Sequence, residues 1–338
     1  MTPQSHIRAT PAAIADLLRQ HRRFVITTHI NPDGDGLGSE LAVAHWLVAH
    51  GRDVAILNHS STPAVYRFLD PAGLIRTYDD SADRGAILGA DAILVLDTNH
   101  PDRLGSLEPA VRESAAVKVV IDHHLDPAPF ADQYLLDQDA TSTGEIVYRI
   151  AIDLWGAELP PETATALFCA IMTDTGSFRY PRVDPETFQI CAHLVQCGAD
   201  PVAIYSEVYE RWSPGRIHLL GVMLKGLAVE CEGRLAHVAI SRADLHATGT
   251  TEEDTDNFTT YPMSIRGVAA GILFLELPGE VKISFRSRGS IPINELAKEF
   301  GGNGHRNAAG ARVVGLPLDD VRARVVAAAA KYVREELP

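Results

Sequence analysis

Four short apolar runs in the first third of the chain set the strongest limit on its fold. Residues 24–28 (FVITT), 54–57 (VAIL), 92–96 (AILVL) and 117–121 (VKVVI) read as buried strands. The stretch 37–50 between the first two has helical spacing. Ser142 or Thr143 is placed to cap a helix running toward Trp155, and 162–173 reads as another buried helix. Strands joined through helices run parallel, so the expected architecture is α/β: a mostly parallel sheet with helices on both faces.

The 338 residues are enough for two domains. The expected division is a first domain over 1–199, a connecting region over 200–230 that breaks at Ser213, Pro214 and Gly215, and a smaller α/β domain over 231–338. Strand-like runs in the last part cover 236–240, 268–276 and 281–285. A helix at 294–300 leads into a glycine cluster, and an Ala-rich helix at 318–336 reads as a packing element.

Hydrophobic residues at 46% and charged residues at 22% suit a soluble globular protein. A net charge of −14 argues against long duplex DNA as a partner, because phosphate-rich polymers call for a basic surface. The same acidity suits a small phosphate-bearing ligand brought in by bound cations. No apolar run approaches the ~18 residues of a membrane span, and the start shows no secretory pattern. Cys169, Cys191, Cys197 and Cys231 lack any C-x-x-C pairing and are expected to be reduced thiols, which fits a cytoplasmic protein.

Directly after the first strand comes HINPDGDGLGS, with His29, Asp33 and Asp35. Pro32, Gly34 and Gly36 are expected to let a loop turn tightly so that these three side chains converge. One imidazole and two carboxylates suit Mn²⁺, with Mg²⁺, Co²⁺ or Zn²⁺ as alternatives; a solvated Asx-rich turn would give the same letters. Asp97 ends the third strand, and Asp122, His123 and His124 end the fourth. Three strands finishing in metal-competent groups at one sheet edge are hard to ascribe to turns alone, and ligand sites of open α/β sheets lie at that edge. Asp174 closes an apolar helix with a further carboxylate.

This ordered set, His29/Asp33/Asp35, Asp97, Asp122-His123-His124 and Asp174, resembles the four motifs of the DHH phosphoesterase superfamily. The later run GGNGHRNAAG, residues 301–310, resembles the glycine-histidine motif of the DHH-associated substrate domain. The resemblance spans nearly the whole chain. Its length, second domain and the stretch KISFRSR at 282–288 resemble the oligoribonuclease/pAp-phosphatase branch, pAp being adenosine 3′,5′-bisphosphate. One departure is Asn303, where relatives carry unbroken glycine. Asn tolerates left-handed backbone better than most residues, so the loop is expected to persist.

The resemblance implies two divalent cations, Mn²⁺ first with Mg²⁺ or Co²⁺ as alternatives. His29 and Asp33 would hold one ion, Asp35, His123 and Asp174 the other, and Asp97 would bridge them. Ions ~3.5–4 Å apart can share and activate a water for in-line attack on phosphorus. His124 would contact the phosphoryl oxygens or protonate the leaving group, with Asp122 orienting a neighbouring histidine. In the second domain, Gly302, Asn303 and Gly304 would offer backbone N–H groups to a terminal phosphate, with His305 and Arg286 as side-chain contacts. Phe258 and Tyr261 are expected to pack rather than stack on a base. The active site is expected in a cleft between the domains.

The function so implied is hydrolysis of short RNA, down to dinucleotides, and of the 3′-phosphate of pAp. The alternative is a phosphodiesterase for cyclic dinucleotides of the c-di-AMP type or their linear products. Inorganic pyrophosphatase or polyphosphatase activity stands behind both, and a non-catalytic nucleotide sensor is the reading from another class. Short RNA and nucleotides are the expected partners, with no membrane and with a homodimer left open.

Overall fold

Side-chain alternation along the strands decides the architecture of the first half. The computed structural model describes residues 7–334. Seven strands, β1 (Ile7–Arg8), β2 (Arg23–Thr27), β3 (Asp53–Asn58), β4 (Ile75–Thr77), β5 (Ala92–Leu96), β6 (Val117–Asp122) and β7 (Gln133–Leu136), form one sheet. Its order is β1-β7-β6-β5-β2-β3-β4, with every neighbouring pair parallel. Phe24, Ile26, Leu94, Leu96, Val119 and Ile121 point to one face and join a core with the helices Pro11–Gln20, Gly34–Ala49, Thr143–Trp155 and Pro161–Asp174. Val25, Leu57, Ile93, Val95 and Val120 point to the other, against Ile87, Leu104, Leu107 and Val111. Both faces are dry, which is why the strands read as unbroken apolar runs.

The chain leaves β2 toward β3 and β4, then returns to lay β5 on the other side of β2. A doubly wound sheet opens a crevice at such a switch point, outside the carboxyl ends of its strands. Register aligns those ends: Thr27 pairs with Val95 and Leu96 with Ile121. His29, Asp97 and Asp122 therefore leave the sheet at one level.

Two details differ from the sequence reading. The edge strands β1 and β4, and β7 beside β1, are only two to four residues long, too short to give an alternating pattern. The helix expected from 37 begins at Gly34, so Gly34 and Gly36 lie in its first turn rather than in a loop. Their missing side chains serve close approach. A Cβ at Gly36 would stand 2.4 Å from Thr28 Oγ1, and one at Gly38 would stand 2.3 Å from the Ala166 carbonyl oxygen.

The chain divides into two compact units, Met1–Arg211 and Trp212–Pro338. The stretch 200–230 is largely helical, with Pro201–Tyr205, a π-turn at Ser206–Glu210 and Pro214–Lys225. Ser213 and Pro214, expected as a break, start the last of these: the Ser213 hydroxyl caps the helix by accepting the Arg216 N–H at 3.0 Å.

The second unit holds β8 (Ala228–Glu230), β9 (Leu235–Ile240), β10 (Ala270–Leu277), β11 (Glu280–Ser287), β12 (Asn303–His305) and β13 (Ala308–Val314). Their order is β12-β13-β11-β10-β9-β8, antiparallel except between β9 and β10. Helices Ile293–Glu299 and Leu318–Arg334 cover one face, the latter burying Val321, Val325, Ala329 and Val333. Residues 335 and 336 of the expected last helix lie outside the described residues. Leu219 and Met223 of Pro214–Lys225 pack on the other face with Phe258. Among the described residues no helix is long and apolar enough to cross a membrane.

Candidate metal centre

Asp97, at the carboxyl end of β5, takes a left-handed backbone with φ 59. That conformation costs a non-glycine residue roughly 1–2 kcal/mol, and Asp adopts it more readily than most. The Asp97 N–H still donates to the Ile121 carbonyl at 3.0 Å, so the strand end is held while the side chain swings across the crevice. The two Asp97 oxygens face different imidazoles: Oδ2 is 3.3 Å from His29 Nε2, and Oδ1 is 3.7 Å from His123 Nε2.

His29 donates from Nδ1 to the Ile30 carbonyl at 2.8 Å, which turns Nε2 toward Asp97 and toward Asp33 Oδ1 at 3.8 Å. His123 Nε2 lies 3.4 Å from Asp174 Oδ2 and 3.9 Å from Asp35 Oδ2. The His123 ring is buried, and neither of its nitrogens has a hydrogen-bond partner among the described residues. Orphaned nitrogens in a dry site are costly unless something else binds them. The donor atoms of His29, Asp33 and Asp97 lie within 4.8 Å of one another, as do those of Asp35, His123 and Asp174.

Local structure fixes each carboxylate. Asp33 caps the Gly34–Ala49 helix, its Oδ1 accepting the N–H groups of Asp35 and Gly36 at 3.0 and 3.2 Å. Asp35 is fully buried and lies against the start of the Thr143–Trp155 helix. Its two oxygens accept the Thr143 and Gly144 N–H groups at 2.7 and 2.8 Å, which suits a negative charge at a helix N-terminus. The Thr143 hydroxyl donates to Asp97 Oδ1 at 3.0 Å. Asp122 Oδ1 accepts the His123 N–H at 2.8 Å and His124 Nδ1–H at 2.7 Å.

Five carboxylates meet three imidazoles here, and the crowding displaces their protonation. Burial pushes Asp35 well above the usual carboxylate range, and the charges of Asp97 and Asp174 push it further. Burial, with Asp97 and Asp33, pushes Asp174 up to about 7. Asp97 sits below that range: burial opposes its charge, but His29, His124 and His123 outweigh it. His29 is pushed up to about 10, burial again opposing and Asp33 and Asp97 prevailing. A borderline-hard divalent cation fits this mixed N/O donor set and would relieve the crowding.

Four buried residues behind the site escaped the sequence reading as contributors. Thr143 and Gly144 hold Asp35, and Thr143 also holds Asp97. Asn58 Oδ1 accepts the Thr28 N–H at 3.1 Å beside His29, while Asn58 Nδ2 donates to Glu40 Oε2 at 2.8 Å. The capping pattern at 142–143 was the one local signal among them; Ser142 is the cap.

In the second unit, Arg286 and His305 both pair with Ala308, so β11, β13 and β12 set residues 286, 308 and 305 in one row. The His305 side chain lies outside the described residues. Asn303 starts β12 in extended backbone, so its tolerance of left-handed conformation is not used. The N–H groups of Gly301 and Gly302 donate to Lys298 and Ala297 at the helix end, and that of Gly304 donates to Asn303 Oδ1 at 2.8 Å. These three are therefore already engaged, which corrects the expectation of an open backbone cradle. A Cβ at Gly302 would stand 2.1 Å from the Gly310 oxygen, so close strand approach accounts for that glycine. Phe258 is fully buried between Trp212 and Tyr261.

Comparison with known proteins agrees with this layout. The DHH family, N-terminal domain, matches residues 23–171, and the DHHA1 domain matches 235–335. The bifunctional oligoribonuclease and PAP phosphatase NrnA of Thermus thermophilus is 32% identical, over 92% of this chain and 89% of that one. The cyclic-di-AMP phosphodiesterase PdeA of Listeria monocytogenes is 24% identical, over 97% of this chain and 50% of that one. The crystal structure of an exopolyphosphatase-related protein from Bacteroides fragilis gives a TM-score of 0.90 at 28% identity, covering 96% of this chain and 95% of that one. With both domains present in order and a relative matched almost end to end, the chain belongs to the DHH family of phosphoesterases.

Proposed function

We propose that this chain is a two-metal phosphoesterase that hydrolyses short RNA, down to dinucleotides, and removes the 3′-phosphate of pAp. The observation that carries the reading is the position of Asp97, one oxygen toward His29 and the other toward His123. His29 and Asp33 would hold one divalent cation and Asp35, His123 and Asp174 the second, with Asp97 between the two sets. Mn²⁺ is the first choice for this mixture of imidazole and carboxylate, with Mg²⁺ or Co²⁺ as alternatives. When bound, such ions neutralise the crowded carboxylates and lower the pKa of a coordinated water.

The chain's own groups position and move protons. The Thr143–Trp155 helix start fixes Asp35, and the Thr143 hydroxyl fixes Asp97. His124 is the proposed proton donor to the leaving oxygen. Burial alone would lower its pKa, but Asp122 and Asp97 raise it above the ordinary value, and Asp122 sets the ring through Nδ1. In the second unit, Arg286, Asn303 and His305 are the proposed contacts to a substrate phosphate, with Gly302 and Gly304 keeping β12 against β13.

The name of the Thermus thermophilus relative supports the substrate class. Similarity to PdeA over nearly the whole of this chain supports a second reading, hydrolysis of cyclic dinucleotides. Full-length protein loaded with Mn²⁺ and given pAp, linear dinucleotides, cyclic di-AMP, polyphosphate and pyrophosphate separates these. Fastest turnover of pAp and linear dinucleotides is expected. Preference for the cyclic substrate would favour the second reading, and hydrolysis of polyphosphate or pyrophosphate without nucleotide turnover would overturn both.

A further inference from the structure

Two residues beyond Asp174 the backbone turns left-handed for three residues in a row: Gly176 at φ 57, Ser177 at φ 59 and Phe178 at φ 64. Two of the three are not glycine, so the turn is held against backbone preference. Hydrogen bonds pin it. The Ser177 N–H donates to the Met172 carbonyl at 2.8 Å and the Phe178 N–H to Thr175 Oγ1 at 3.1 Å. The N–H groups of Arg179 and Tyr180 both donate to the Thr175 carbonyl, at 3.0 and 3.1 Å.

The turn sorts two aromatic rings. Phe178 goes inward, 6.1 Å from the Phe168 ring and 5.6 Å from Phe188. Tyr180 goes outward and is 54% exposed. The hydroxyl end of its ring nonetheless lies on Gly176, where a Cβ would stand 2.6 Å from Tyr180 Cζ. The ring is thus fixed on one side and open on the other. Tyr209, close enough for its pKa to feel Ser177 and Tyr180, continues to Tyr205, whose ring centroid is 4.9 Å away.

Two arginines sit near Tyr180 in the chain. Arg179 is exposed and donates from Nε to the Gly176 carbonyl at 2.6 Å, which places its guanidinium beside the turn. Arg182 donates to the Gln138 and Ala140 carbonyls at 3.1 and 3.3 Å, and its charge reaches Asp174 and His123. A tyrosine serving the core alone would follow Phe178 inward. A half-open ring resting on a pinned turn, with an arginine before it and another two residues after it, six residues along the chain from a carboxylate of the metal centre, has the make-up of a base-stacking surface.

We propose that Tyr180, carried on the 176–178 turn, is the stacking platform for a substrate nucleobase, and that Arg179 is the cation beside it for a substrate phosphate. The proposal rests on the phosphoesterase reading and names its base subsite within the first unit. Stacking is indifferent to base identity, so the platform takes purine and pyrimidine nucleotides alike.

Calorimetric titration of the full-length, Mn²⁺-loaded protein with AMP and with ribose 5-phosphate tests it. Tyr180→Ala is expected to weaken AMP binding about 10- to 100-fold, the range that loss of one base–aromatic stack gives. Ribose 5-phosphate affinity should stay unchanged, and Tyr180→Phe should bind AMP as the parent does. An unchanged AMP affinity in Tyr180→Ala, or an equal loss for both ligands, overturns the proposal. A parent protein that binds AMP through Tyr180 yet hydrolyses no nucleotide would instead overturn the functional reading and leave this subsite standing.

Discussion

Thr143 shows how much of the site depends on a residue that is not itself a ligand candidate. Its hydroxyl is the hydrogen-bond donor to Asp97 Oδ1, and its N–H holds Asp35. Groups that orient metal ligands typically contribute about 10- to 100-fold in metal affinity or activity. Thr143→Val is therefore expected to lower kcat about 10-fold with KM for pAp little changed, while Thr143→Ser retains most of the rate; equal rates for Val and the parent would sink the positioning role. Glu40 gives a test in pH. Burial pushes its carboxyl up to about 8, against the Asn58 hydrogen bond, whereas an unfolded glutamate titrates near ~4.3. Folding takes up a proton between those values, so this stabilisation is complete below the unfolded pKa and is lost as pH rises through the folded one. Glu40→Gln has no proton to lose, so its melting temperature relative to the parent should climb from about pH 5 to about pH 9. A pH-independent difference would contradict the assignment. His29, Asp97, Asp122 and His123 were legible because each follows an apolar strand. Thr143, Asn58 and Glu40 were not, because their partners are brought close by the fold and lie far off in sequence.

At the scale of elements, the helix pair Gly34–Ala49 and Pro161–Asp174 sets the distance between Asp35 and Asp174. Gly38 is where they approach most tightly, since a methyl group there would stand 2.3 Å from the Ala166 carbonyl oxygen. Gly38→Ala should destabilise by about 1–3 kcal/mol through overpacking, despite the better helix propensity of alanine. Gly221→Ala, in an exposed helix position with nothing within 4 Å, should instead stabilise by up to about 1 kcal/mol. Thermal melting reads both signs, and a stabilising Gly38→Ala would refute the close packing of the two helices. The same glycine spacing suggested a loop from sequence, because a tight turn and a tight helix contact both select glycine. Asn303 misled likewise: a glycine cluster after a helix suggests left-handed backbone, yet pairing with β13 makes the residue extended. Strands β2, β3, β5 and β6 were legible to within a residue at either end, since burial on both faces leaves them mostly apolar.

Across the whole molecule, each unit builds its own sheet and core, and the acid and imidazole cluster belongs to the first unit alone among the described residues. The ordered motifs were readable because a parallel sheet puts every carboxyl end at one edge, so residues far apart in the chain arrive together. What the order of motifs could not convey was how Asp97 is held in place, through the left-handed strand end and the hydroxyl of Thr143 at the helix start. Catalysis as proposed requires a pair of cations joined by that carboxylate. Metal analysis of full-length protein, equilibrated with Mn²⁺ and freed of excess, decides whether the pair exists. Two ions per chain are expected in the parent, falling to one or none in Asp97→Ala together with loss of phosphoester hydrolysis. A parent that binds fewer than two, or an Asp97→Ala protein that keeps both, would contradict it.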